Sequence, residues 1–98
     1  MNSNELRYSK KENDFIIETN LKVKKEIPFE VTLEDDIYII QNDIFDIFSF
    51  NRDLEKAKIE IEEQIQFLWS EYVLANEEEL APIGLVLKNL LLNYIKEI

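Results

Sequence analysis

From Phe15 onward the chain alternates with a period of two. Phe15, Ile17, Thr19, Leu21 and Val23 fall on one face; Glu18, Asn20, Lys22 and Lys24 fall on the other, and only Ile16 breaks the pattern. Alternation of this kind predicts a half-buried strand about ten residues long. After a turn at Lys24-Lys25-Glu26, Ile27, Phe29, Val31 and Leu33 alternate with Pro28, Glu30, Thr32 and Glu34, a second strand. Pro28 cannot donate to a ladder, so it belongs at the strand start or on an edge. Glu34-Asp35-Asp36 reads as a turn, residues 37–41 as a third strand and Asn42-Asp43 as a tight hairpin. Residues 44–50 are apolar on both faces apart from Asp46 and Ser49. A fourth strand of that composition is either central, or covered by helices on one face and by a partner on the other. Residues 1–13 are polar and aperiodic, a loose tail or a marginal first strand, ahead of one domain over 14–98.

At Asn51 the period changes. Asp53 suits a helix N-cap, because its carboxylate can accept first-turn N–H groups at the positive end of the dipole. Leu54, Ala57, Ile61, Ile65, Leu68, Trp69 and Tyr72 then fall within about 120° of helical arc. They predict the core face of a helix running to about Ala75, which Asn76 ends. Pro82 suits the first turn of another helix, with Ile83, Leu87, Leu90, Leu91, Tyr94, Ile95 and Ile98 on its core face. Gly84, the only glycine, reads as a close-packing position. The expected fold is α+β: an antiparallel β-meander of three to four strands followed by two amphipathic α-helices packed on one face.

Some apolar residues do not fit these faces. Ile59, Phe67 and Leu74 point away from the core on the first helix, and Leu85 and Leu92, flanked by Lys88 and Lys96, do so on the second. Such seams mark surfaces that pack on a second copy or in a partner's groove. Alternatively, a kink near Asn76 lets the two helices cover both seams internally.

Charge sharpens the picture. The 98 residues carry 21 Asp+Glu against 11 Lys+Arg, net −10. Residues 1–25 hold six Lys+Arg and four acids, whereas residues 26–98 hold five and seventeen. An acidic body of this kind attracts a basic partner and repels a phosphate backbone. Tyr8 and Phe15 among Arg7, Lys10 and Lys11 could stack on single-stranded bases, but the acidic body argues against nucleic acid. Cys and His are both absent, which removes disulfides, zinc–thiolate sites, thiol nucleophiles and His-based triads. Asp35, Asp36, Asp43 and Asp46 suit hairpin turns, and no calcium loop forms for want of its glycine. Glu55, Glu60, Glu62 and Glu63 read as a solvated helix face, with Lys56–Glu60 as an i,i+4 pair. Ser3, Ser9, Ser49 and Ser70 sit in no nucleophile motif. These readings point to a protein that is not an enzyme and takes no cofactor or metal. No apolar run reaches the roughly 20 residues of a membrane helix, and no signal-peptide core opens the chain. The expected location is therefore cytoplasmic, with no membrane partner.

Residues 36–66 (DIYIIQNDIFDIFSFNRDLEKAKIEIEEQIQ) resemble the core of the HicB-like antitoxin family, two hairpin strands followed by an amphipathic helix. In this resemblance Asp53-Leu54-Glu55-Lys56-Ala57 occupies the helix start, and Ala57 lets the helix lie close on the sheet. Asn42-Asp43 stands in place of the family's Pro/Gly segment, Asn51 in place of its glycine before the helix, and no DNA-binding segment follows. The resemblance implies a chain that masks a small basic RNase. The leading expectation is thus a non-enzymatic, antitoxin-like neutraliser of a small basic protein, itself a homodimer. Ile59, Phe67, Leu74, Leu85 and Leu92 would form the partner or dimer interface. Glu60, Glu63 and Glu71 would supply the acidic partner surface, and Trp69, at the edge of the core face, would be a core anchor. The alternatives are an acidic mimic of nucleic acid that inhibits a DNA- or RNA-binding protein, and a plain structural dimerisation module.

Overall fold

A computed structural model describes residues 4–17 and 19–98. Residues 1–3 of the predicted tail, and Glu18 of the predicted outward face, lie outside the described residues. Strands β1 (Asn4–Lys10), β3 (Ile27–Glu34), β4 (Ile37–Asn42) and β5 (Ile47–Asn51) form one antiparallel sheet in the order β1-β3-β4-β5. Helix α1 (Leu54–Leu68) lies across it, a π turn (Trp69–Val73) and a 3-10 turn (Glu77–Glu79) follow, and α2 (Pro82–Tyr94) completes an α+β fold. The short strand β2 (Leu21–Val23) leaves the main sheet and pairs with the C-terminal β6 (Ile95–Glu97).

Strand β3 follows its alternation, with Ile27, Phe29 and Val31 buried and Pro28 and Glu30 exposed. Pro28 sits at the strand start, opposite Ser9 of β1 and beyond the stretch paired with β4. The β3–β4 hairpin turns on Asp35 and Asp36, both at positive φ (50° and 65°), the geometry that a two-residue turn matched to strand twist demands. Asn4–Lys10, open between tail and strand in the sequence, is strand β1.

The strand expected from Phe15 survives only over Leu21–Val23. Ile16, the exception to the alternation, is completely buried, while Phe15 is exposed. Local hydrogen bonds outcompete the period here. Thr19 Oγ1 donates to the Ile16 carbonyl and accepts from the Leu21 N–H, and the Ile16 N–H donates to the Leu21 carbonyl. The backbone therefore curls, and Ile16 swings into the core. The fourth strand likewise begins at Ile47 rather than Ile44. Asn42 is buried; its Oδ1 accepts from the Phe45 N–H at 2.8 Å and its Nδ2 donates to the Pro28 carbonyl at 2.8 Å. These bonds close a four-residue loop that ends on Asp46 at φ 56° and buries Phe45. β5 is not central but an edge strand.

Asp53 caps α1, accepting from the Glu55 and Lys56 N–H groups at 2.9 and 3.2 Å. Ala57, Ile61 and Ile65 are completely buried, and the Ser49 hydroxyl of β5 donates to the Ala57 carbonyl at 2.7 Å. The small side chain of Ala57 permits that approach. At Trp69 the helix widens, and the Leu74 N–H reaches back to the Trp69 carbonyl at 3.2 Å. The widened turn faces α2, where a Cβ on Gly84 would stand 3.3 Å from the Tyr72 ring. Gly84 is thus a position of close packing. That contact centres the inner face of α2 on Gly84, Leu87 and Leu91. Ile83 lies one helical step away and is exposed, against the expectation from its spacing. Ile98 is exposed too, because the helix gives way to β6 at Ile95.

The C-terminal end of α2 is met by cations. The Lys24 and Lys25 N–H groups donate to the Tyr94 carbonyl, Lys24 Nζ donates to the Leu92 carbonyl at 2.9 Å, and Lys25 Nζ lies over the Tyr94 ring. Positive charge at the negative end of the dipole is favourable, which accounts for lysines gathered on this side of an acidic chain.

Beneath α1, Glu62 is buried and accepts from Lys10 Nζ at 3.1 Å and the Ile17 N–H at 2.9 Å, tying β1 and the curled segment to the helix. Tyr8 stacks on Phe29 with ring centroids 4.8 Å apart, and its buried hydroxyl has no partner among the described residues. Burial, and then the carboxylates of Glu62 and Glu55, push the Tyr8 phenol well above its ordinary range. An unfolded chain would release that proton near pH 10, while the folded chain keeps it. Stability contributed by neutral Tyr8 is therefore complete below about pH 10 and declines as pH rises above it. Tyr8→Phe is expected to shallow this alkaline decline and to leave stability at neutral pH unchanged or higher, since it removes an unpartnered hydroxyl. Urea midpoints measured from pH 7 to 11 check both; a loss of stability at neutral pH would show that the hydroxyl is satisfied.

Candidate interaction surfaces

Among the described residues no group of three or more carboxylates converges as a metal site, and no helix is long and apolar enough to cross a membrane. The features that stand out chemically are exposed apolar side chains set among acids.

The α1 surface presents Ile59, Phe67 (61% exposed) and, past the π turn, Leu74 (64% exposed). Capping by Asp53 and burial of the Ala57–Ile61–Ile65 stripe fix the rotation of α1, which leaves Ile59 and Phe67 outward. Glu63 and Glu71 are exposed beside them. Glu60 is half-buried, its Oε2 accepting from Asn51 Nδ2 at 3.2 Å, so it faces β5 rather than open solvent. On α2, Leu92 is exposed and Leu85 half-buried. Lys88, beside that seam, is held by Glu77 at 3.2 Å. Trp69 packs in the core at 6% exposure, and its indole N–H has no partner among the described residues.

Two further surfaces lie outside the residues that helical spacing singled out. Between α2 and the β4–β5 loop, Ile44, Phe45, Ile83, Val86, Leu87 and Leu90, with the single acid Asp46, line a largely apolar cleft of about 290 Å³. The other is the face of the sheet turned away from α1. Residues directly opposite in an antiparallel pair share a face, so the pairs Ile39–Phe50 and Gln41–Phe48 lie opposite to the core pairs Val31–Ile40 and Ile40–Ser49. Ile37 and Ile39 are half-buried there, and Phe48 (57%) and Phe50 (60%) are exposed, their rings stacked 6.3 Å apart. The same face over β1 and β3 is polar, with Arg7 opposite Glu30. The signal in the sequence was the two-sided apolarity of residues 44–50, which α1 explains on one face only.

The edge of β5 is partly closed by the Gln64 side chain, which donates to the Phe48 carbonyl. Occupied edge groups oppose strand addition, so the open apolar feature is the face and not the edge. No protein-family model, curated protein or solved structure matches the chain.

Proposed function

We propose that the chain is a non-enzymatic interaction protein of the cytoplasm that neutralises a small basic protein, of the RNase class implied by the HicB-like resemblance, and that it works as a homodimer. The observation that supports this reading is the setting of Phe48, Phe50, Phe67 and Leu74, large apolar side chains exposed on a surface of net charge −10. Aromatic and aliphatic anchors supply binding energy at the centre of an interface, and complementary charge around them speeds docking. A pure mimic of nucleic acid would need the acids without the anchors.

A partner captured by the immobilised chain from extracts of its host tests this reading. The expected partner is a basic protein, released by salt, whose nuclease activity falls in proportion to the chain added. An acidic partner, or one whose activity is untouched, contradicts it.

The homodimer is assigned to the helical seams. Light scattering across protein concentration is expected to give twice the chain mass for the wild type. Phe67→Glu and Leu74→Glu, placed where exposure leaves the fold intact, are expected to give the monomer mass with an unchanged circular dichroism spectrum. A wild-type monomer at all concentrations contradicts the dimer.

A further inference from the structure

We infer that the outer face of β4 and β5, formed by Ile37, Ile39, Phe48 and Phe50, is the surface on which the basic partner docks. This rests on the reading above that the partner is basic, and it names a surface distinct from the helical seams. Charge complementarity selects this occupant. At one end of the two strands lie Glu34 and the turn residues Asp35 and Asp36; at the other lies the loop residue Asp43, with Glu30 beside Gln41, while Asp46 of the same loop borders the α2 cleft. Arg52 follows β5 at the Glu34–Asp36 end, where three carboxylates outnumber it, and Arg7 stands two strands away opposite Glu30, so both ends of the patch stay net acidic. A second copy laid on this face in either direction would set carboxylates against carboxylates. A basic surface presenting an apolar group meets anchors at the centre and opposite charge at both ends. The stacked Phe48 and Phe50 rings are rigid side chains with little rotamer freedom to lose on docking.

The test uses the full chain, labelled for amide NMR, and two synthetic probes: a peptide alternating Arg with Leu and Trp, and its counterpart with Glu in place of Arg. The Arg peptide is expected to shift the amides of Ile37, Ile39, Phe48 and Phe50. Phe48→Thr combined with Phe50→Thr keeps strand-forming residues at exposed positions and is expected to weaken binding about tenfold or more. Phe67→Thr combined with Leu74→Thr is expected to leave it unchanged. Asp35→Asn with Asp36→Asn preserves the positive-φ turn and is expected to weaken binding and reduce its salt dependence. Shifts confined to Ile59, Phe67 and Leu74 would overturn this surface while leaving the basic-partner reading intact. Binding of the Glu peptide as tightly as the Arg peptide, or of neither, would overturn both. Concentration-dependent shifts across the patch without peptide would make it a contact between copies and overturn the assignment.

Discussion

Trp69→Ala is expected to lower the unfolding free energy by about 3–5 kcal/mol, the range for truncating a buried Trp. Domains of this size hold roughly 5–15 kcal/mol in all, so the loss is a large share of the total and reaches the unfolding threshold at the lower end of that range. The effect is large because Trp69 sits at a junction. It ends the buried stripe of α1, begins the π turn that meets α2, and borders a cleft of about 210 Å³ with Leu21 and Leu74. Truncation opens that cleft into the core. Trp69→Phe, which keeps an aromatic ring and removes the unpartnered indole N–H, is expected to lose much less. Urea denaturation followed by circular dichroism reads both, independently of indole fluorescence. A loss below about 1 kcal/mol for the alanine variant would show that Trp69 does not join the two helices.

Glu62→Ala is expected to cost about 3 kcal/mol, at the low end for breaking a buried ion pair because Lys10 retains some solvent. Removal of the carboxylate leaves Lys10 without its counter-charge and the Ile17 N–H without an acceptor. Both belong to segments that this side chain ties to α1. Glu62→Gln keeps an acceptor for Ile17 and loses only the charge, so its loss should be smaller. The same denaturation experiment ranks them. Equal losses would mean that the charge, rather than the Ile17 hydrogen bond, carries the whole effect; no loss in either would remove Glu62 from the account of how β1 is held.

Much of the fold was legible where a single period governed a whole element. Ile27, Phe29 and Val31 announce β3, and Asp53 followed by the Ala57–Ile61–Ile65 stripe announces α1, because each element buries one face against one layer. Legibility failed where side chains or distant segments set the backbone. Thr19 and Asn42 bond their own neighbours, which curls the chain at Ile16 and delays β5 to Ile47. β1 is an edge strand with Arg7 and Ser9 outward, so its sequence carries little apolar signal. β6 exists only because β2 pairs with it, a contact between residues far apart in the chain. Of the surfaces, Phe67 and Leu74 could be placed by helical angle. The Phe48–Phe50 face could not, since two-sided apolarity suits a central strand as well as an edge strand with one uncovered face; only strand order decides between them.

If acid-rimmed apolar surfaces of this chain hold a basic partner, the dissociation constant of the purified complex must depend on salt in a definite way when measured across a series of salt concentrations. Binding is expected to weaken steadily as salt rises, yet to keep a residual affinity that Phe48→Thr with Phe50→Thr removes, because screening weakens the charged rim and spares the apolar centre. An affinity indifferent to salt, or one that strengthens with it, would mean that the acids do not hold the partner.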